Sequence, residues 1–196
     1  FWASEPVFVG RDICGTTDDR VLSSDARQGR LVSSSLAVKC TGWMINDLNS
    51  MFLTAGHCGP AAGDIMQFNV PLSTSGGAAQ HPPANDQFPV DAASIQTSNG
   101  GAIGTDHAYY GCNVNSNTGL TPWQHMGRVN YVIGNAPAVS GQTIRITGYG
   151  SVTGTQGTPL TWYAVQKTHT GPYSSLSGTT MRYRSEERRV GRECRS

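Results

Sequence analysis

Apolar residues in this chain occur in short segments, and no window of helical length carries the 3.6-residue apolar period of an amphipathic helix. Turn-forming residues separate the segments, and Gly alone contributes 24 of the 196 residues. Glycine supplies the positive φ angles that tight turns need. Short strands joined by frequent turns are typical of a β-barrel or a β-sandwich. The sequence therefore predicts an all-β protein.

Composition limits the classes of partner. Charged residues make up 14% of the chain and the formal net charge is +1, which gives no electrostatic basis for binding nucleic acid or an anionic membrane. No stretch approaches the roughly 20 apolar residues of a membrane span. None of the five cysteines stands in a Cys-x-x-Cys pair, and no metal or cofactor motif is recognisable. We expect a monomer without metal or cofactor.

Periodicity and turn residues predict the order of the strands. Residues 46–50 and 71–90 are rich in turn formers and read as a turn and a surface loop. The predicted strands cover residues 31–38, 41–45, 51–55, 64–70, 108–110, 128–133, 143–147, 163–168 and 179–183.

Residues 52–58, Phe-Leu-Thr-Ala-Gly-His-Cys, carry the most informative histidine. His57 stands where a predicted strand gives way to a tight turn, which projects its side chain into a cleft, and the hypothesis is that it acts as a general base. Such a histidine needs a carboxylate to fix its tautomer. Asp106 follows a glycine-rich segment and opens a strand, whereas Asp86 and Asp91 lie in or beside a proline-rich loop. Asp106 is therefore the preferred candidate, although position alone leaves an ordinary turn or cap role open.

Four motifs occur in a telling order: Cys40-Thr-Gly-Trp-Met-Ile, Leu53-Thr-Ala-Gly-His-Cys, Asp106-x-Ala and Thr147-Gly-Tyr-Gly. Together they resemble the trypsin-like, chymotrypsin-fold serine peptidases, over most of residues 15–183. Residues 15–20, 115–122 and 166–172 are most similar to the bacterial type near the glutamyl endopeptidases.

The resemblance implies two antiparallel β-barrels of the chymotrypsin type, the second incomplete. Residues 1–19 would be a lead-in, 20–116 the first barrel with His57 and Asp106, and 117–183 a partial second barrel. It implies that His57 is the base, that Asp106 orients it, and that the substrate is a polypeptide.

The resemblance also implies a disulfide between Cys40 and Cys58, which leaves Cys14 and Cys112 as a possible second pair. Disulfides indicate an oxidising compartment, so we expect a secreted or otherwise extracytoplasmic protein. Buried free thiols remain an alternative for Cys40 and Cys58. A zinc site that gathers Cys14, Cys58, Cys112 and a histidine would lack any recognisable ligand spacing.

Residues 184–196 depart from the composition before them, because eight of these thirteen residues are charged. The string resembles a translated sequencing adapter, so we interpret it as a non-native tail; a solvated terminal segment is the alternative. The family's nucleophile turn, Gly-Asp/Asn-Ser-Gly, is not found after Asp106. Ser75-Gly-Gly lies before Asp106 and lacks the preceding acidic or amide residue. The sequence thus predicts an inactive fragment of a serine endopeptidase.

Two other functions remain open at this stage. The chain could be a non-catalytic binding protein on the same fold, or an unrelated secreted β-domain in which His57 is structural. Side chains of His57 and Asp106 that lie far apart would support the second alternative, whereas the peptidase needs them within hydrogen-bond reach.

Overall fold

The structure is a computed structural model that describes residues 18–47, 51–100, 105–136, 141–154, 157–177 and 180–183. Most of the regular secondary structure in the described residues is β-strand, with one four-residue α-helix, α1 (Pro122–His125). The all-β prediction is confirmed. The strands are β1 (Val21–Leu22), β2 (Gln28–Val32), β3 (Val38–Met44), β4 (Phe52–Thr54), β5 (Ile65–Gln67), β6 (Gln87–Pro89), β7 (Gln96–Asn99), β8 (Asp106–Tyr110), β9 (Thr143–Gly148), β10 (Lys167–Ser177) and β11 (Thr180–Tyr183).

Seven antiparallel strands form the first sheet in the order β6-β5-β2-β3-β4-β8-β7. The sheet curls into a half-barrel, and an antiparallel bridge between Val90 and Cys112 joins the segments that follow β6 and β8. The ring centroids of Phe52 and Tyr110 lie 5.8 Å apart inside it. The buried core consists of Leu31, Met44, Phe52, Met66, Phe68, Phe88, Val90 and Tyr110.

Several of the predicted strands are wrong in their extent: only residues 65–67 of the range 64–70, and only residues 167–168 of the range 163–168, lie in strands. Residues 31–38 form a hairpin rather than one strand, because the chain reverses where Ser33 N–H donates to the Ala37 carbonyl at 2.8 Å. The Ser33 hydroxyl accepts the Ala37 N–H, and Leu36 adopts a φ of 65°. Residues 128–133 contain only a bridge at Tyr131, which pairs with Ile45. A run of β-branched and apolar residues without a partner strand does not form a ladder.

The second sheet has β10 at its centre, paired with β1, β9 and β11. Strand β1 pairs Val21 with Thr168. The first strand of the chain therefore belongs to the second sheet, and the chain enters the first sheet at β2. This sheet is loosely covered, because strands β1, β9 and β10 all expose large aliphatic side chains: Val21, Leu22, Ile146 and Leu176.

A fully buried arginine joins the two sheets. Arg30 on β2 donates to the Ala164 carbonyl at 2.9 Å, to Gln67 Oε1 at 2.8 Å and to the Gln80 carbonyl at 2.6 Å, and its Nη2 lies 3.3 Å from His81 Nδ1. Burial lowers the pKa of Arg30 to about 10. In the described part of the chain no carboxylate contacts this cation. Neutral oxygens therefore carry its hydrogen bonding.

No helix within the described ranges is long and apolar enough to cross a bilayer.

Replacing a core leucine tests how much stability the first sheet supplies. Leu31→Ala should lower the free energy of unfolding by about 2–5 kcal/mol, because it removes a fully buried side chain from a packed core. Urea unfolding followed by tryptophan fluorescence measures the change. The matched control Leu72→Ala, at a half-exposed loop position, should cost less than about 1 kcal/mol. Equal losses for the two variants would contradict the proposed core.

Candidate active site

The turn that carries His57 grows out of the middle of the first sheet. Strand β4 is paired on one side with β3 and on the other with β8, where Thr54 lies opposite Ala108. A single 3₁₀ turn (Gly56–Cys58) follows, and Gly59 ends it with a φ of 50°. Strand β4 is held by a neighbour on each side, and the turn after it takes the chain out of the sheet. The His57 side chain is consequently 66% exposed.

A disulfide between Cys40 and Cys58 fastens the end of this turn to β3, with a Cα–Cα distance of 6.0 Å. The predicted bridge is present. Closing a loop of this length contributes about 3 kcal/mol in the chain-entropy description. The Cys40, His57 and Cys58 donor atoms lie within 4.8 Å of one another. Because both sulfurs are bonded to each other, they offer no thiolate for a metal ion.

Asp106 accepts two hydrogen bonds from His57. The backbone N–H of His57 donates to Oδ1 at 2.7 Å, and His57 Nδ1 lies 2.6 Å from Oδ2. The His57 side chain, followed by its backbone N–H, holds the pKa of Asp106 below the ordinary aspartate value. An ionised carboxylate fixes the tautomer in which Nδ1 carries the proton. Nε2 is then free to accept a proton from a group in solvent.

Gly56 allows the turn to approach the neighbouring strands. A Cβ added to Gly56 would lie 2.1 Å from the Ser98 carbonyl oxygen on β7 and 2.9 Å from Asp106 Oδ1. Both distances are shorter than real Cβ contacts, and the nearer atom is backbone and cannot rotate away. A glycine at this position is therefore a condition for the close His57–Asp106 geometry.

Three of the other histidines, and the aspartates Asp86 and Asp91, have partners elsewhere. Nε2 of His125 lies 2.8 Å from Asp86, and Asp91 caps a 3₁₀ turn by accepting the Ala93 N–H. His169 pairs with Asp19 at 2.9 Å, and His81 contacts Arg30. His107 is exposed on β8. Among the five histidines, the described structure therefore brings only His57 to Asp106.

The remaining cysteines are not joined in the described residues. Cys112 forms no disulfide within the described residues and lies beside a groove of about 790 Å³ that also contacts Met51 and Trp123. Burial raises the pKa of the Cys112 thiol well above its ordinary value. Cys14 lies outside the described residues, so the pairing of Cys14 with Cys112 stays a prediction. The tail at residues 184–196 also lies outside them.

The serine-rich loop at residues 73–77 is a turn bonded to the segment around residue 161. Ser73 is buried and donates its hydroxyl to the Tyr163 carbonyl at 2.7 Å, and Ala78 N–H closes the loop on Thr74. Ser75 is exposed at the tip of this loop. The segment is a turn tied to the 160–163 region, consistent with a loop-tip assignment.

Thr41 was not singled out by the sequence, although it contacts the strand that leads to His57. Its carbonyl accepts the Thr54 hydroxyl at 2.8 Å, and its own hydroxyl accepts the Tyr149 N–H at 2.9 Å. In the sequence, the motifs that contain Thr41 and Tyr149 indicate only a family resemblance. The sequence alone does not show that these two residues are in contact.

The family model for trypsin matches residues 15–186. The chain belongs to the trypsin family. A point variant of human heparin binding protein is similar in structure, with a TM-score of 0.56 and 14% identity over 85% of this chain and 69% of that one. Mouse neuropsin, a serine protease expressed in the limbic system, has a TM-score of 0.50 and 20% identity, over 78% of this chain and 61% of that one. No curated protein sequence matches significantly.

These structural matches show that the trypsin-family chain has the chymotrypsin-like fold, as expected from the sequence. At 14–20% identity they carry the fold alone. The chain spans about two thirds of the length of these structures. The activity and partners of a whole protein therefore belong to the proposal below.

Adding one methyl group at Gly56 tests the close approach at the turn. Gly56→Ala should lower the free energy of unfolding by about 1–3 kcal/mol and should displace His57 from Asp106, because the methyl group meets the Ser98 carbonyl. Thermal unfolding and the ring ¹⁵N signals of His57 measure the two effects. The matched control Gly134→Ala, where a Cβ meets nothing within 4 Å, should change neither. Unchanged His57 signals in Gly56→Ala would contradict the constraint.

The lowered pKa of Asp106 predicts the pH range of its pairing. A carboxyl with a folded pKa below the unfolded value stabilises the fold above the unfolded value, and the contribution disappears as pH falls through the folded pKa. The Asp106 carboxyl ¹³C signal should therefore titrate below the ordinary range near 3.9. In His57→Ala its midpoint should rise, because the strongest donor is removed. An unchanged midpoint in His57→Ala would contradict this cause.

Proposed function

We propose that this chain is the larger part of a serine endopeptidase in which His57 is the general base and Asp106 orients it. The observation that carries the proposal is the pair of bonds from one carboxylate to the ring and backbone of an exposed histidine. A polypeptide is the substrate class that membership of the trypsin family implies.

The geometry suits proton transfer through Nε2. With Nδ1–H bonded to Asp106 at 2.6 Å, the Nε2 lone pair faces the side from which the ring is exposed. There it would take the proton of a serine hydroxyl as that oxygen attacks the peptide carbonyl. The imidazolium so formed is stabilised by the ionised Asp106, whose pKa is lowered by the same contacts. His57 then gives the proton to the departing amine.

The serine would come from a part of the protein that follows the described strands. No Gly-Asp/Asn-Ser-Gly turn occurs after Asp106 in the chain. Two features support a partial second barrel over residues 117–183: the exposed aliphatic residues of the second sheet, such as Val21 and Ile146, and the two-thirds coverage of similar structures. Residues 184–196 are proposed to be a non-native tail, and the parent is proposed to be of the bacterial glutamyl endopeptidase type.

An extracytoplasmic location fits the same proposal. The Cys40–Cys58 disulfide requires an oxidising compartment to persist. A second bridge between Cys14 and Cys112 would add a similar constraint. We propose that the protein acts as a monomer.

A non-catalytic binding protein on the same fold is the second candidate, and the likeness to human heparin binding protein is the observation that favours it. Most cations of the described residues are buried or paired, which argues against a heparin-like ligand. Arg30 and Lys167 are buried, and Arg27 and Lys39 are paired with aspartates. Arg128 and Arg145 are the exposed arginines of the described surface, and Arg145 lies 3.6 Å from Asp25, so the cations form no extended basic patch there for a polyanion.

Hydrolysis of a mixed peptide library tests the proposal. The purified 196-residue chain should release no new amino termini, because it contains no nucleophile turn. The parent, obtained by reading its gene beyond the Tyr183 codon, should hydrolyse peptides. His57→Ala in the parent should lower kcat/KM by about 10⁴-fold or more.

The control is His107→Ala, which removes an exposed histidine next to Asp106 and should leave kcat/KM within about threefold. A parent with a complete second barrel and no serine in the nucleophile turn would favour the binding protein. His57-dependent hydrolysis by the 196-residue chain itself would overturn the assignment of the missing serine.

A further inference from the structure

Thr41 stands at the point where the segment carrying His57 meets the second sheet. It lies on β3, directly after Cys40, which is bonded to Cys58 on the far side of His57. The Thr41 carbonyl accepts the hydroxyl of buried Thr54, on the near side of His57, at 2.8 Å. Residues 40 and 41 thus hold the His57 segment at both ends.

The side chain of Thr41 reaches the other sheet. Its hydroxyl accepts the backbone N–H of Tyr149 at 2.9 Å, and Tyr149 is itself buried. A Cβ added to the preceding residue, Gly148, would lie 2.9 Å from Thr41 Oγ1. Strand β9 therefore approaches Thr41 so closely at Gly148 that any larger side chain there would crowd the Thr41 hydroxyl.

We infer that Thr41 is a positioning residue that couples the His57 turn to the Thr147-Gly-Tyr-Gly segment of the second sheet. The Thr41 carbonyl holds Thr54, at the start of the His57 segment, and the Thr41 hydroxyl holds the backbone of Tyr149. Thr41 thus fixes the position of one relative to the other. This rests on the proposed function, in which His57 must meet a group carried by the second barrel. An error of about 1 Å in such a placement can cost a large factor in rate, so a fixed contact behind the base matters for catalysis.

The chemistry of the contact makes threonine hard to replace. Valine has nearly the same shape but offers no acceptor, which leaves the Tyr149 N–H unpaired in a buried place. Serine keeps the acceptor and loses only a methyl group. The pair Thr41→Val and Thr41→Ser therefore separates the hydrogen bond from the packing of the side chain.

The test uses the ¹⁵N-labelled 196-residue chain and needs no activity. Thr41→Val should speed hydrogen exchange at the Tyr149 amide by about tenfold and should shift the ring ¹⁵N signals of His57. Thr41→Ser should restore both towards the wild-type values. Thr97→Val, at an exposed threonine on β7, is the matched control and should change neither.

A merely structural contact would give faster exchange at Tyr149 with unchanged His57 ring signals, and that result would overturn the inference. Unchanged exchange in Thr41→Val would do so as well. If Thr41→Val fails to fold, Gly148→Ala crowds the same hydroxyl and should shift the His57 signals; unchanged signals there refute the coupling. A parent without peptidase activity would refute the proposed function but not these shifts, so the two failures are distinguishable.

Discussion

The site depends on one carboxylate that binds both the ring and the main chain of the same histidine. Through Oδ2, Asp106 selects the tautomer of His57, and through Oδ1 it anchors the peptide plane that carries the ring. A carboxylate that bonded only the ring would leave the backbone N–H of His57 without this acceptor. The ladder between β4 and β8 brings the two residues together, because it pairs Thr54 with Ala108 beside them. Sheet register, more than any local turn preference, places the acid against the base.

The residues of the site were predictable to the extent that their chemistry is local. His57 and its cysteine could be found because a strand, a tight turn and a disulfide partner are all visible in sequence. Asp106 needed the family resemblance, since position alone does not separate it from other aspartates. Thr41 escaped because its partners, Thr54 and Tyr149, lie 13 and 108 positions away and each bond uses a backbone group. A hydrogen bond to a backbone group does not require a particular residue type at the partner position, so the sequence does not reveal it.

The fold was predicted at the level of class, and the errors fell where turns compete with strands. The segment around Ser33 looked extended because valines and leucines flank it. Its serines instead bond the backbone and reverse the chain. The segment around Tyr131 has strand-like residues, yet only a single bridge to Ile45 forms there. Strand propensity describes a side chain that suits a sheet and does not supply the neighbouring strand.

The buried guanidinium of Arg30 has a consequence for how the chain comes to be assembled. One of its acceptors, the carbonyl of Ala164, lies 134 positions later in the chain. During synthesis from the amino terminus, the first sheet emerges before that carbonyl exists, so Arg30 Nη1 lacks this acceptor at that stage. Closing so distant a contact is slow, because the entropy of a long loop is lost before the bond compensates for it. The hydrogen bonding of Arg30 thus cannot be complete before the segment around Ala164 is in place. The Arg30–Ala164 hydrogen bond therefore joins one of the first strands to be synthesised to a segment that is synthesised much later.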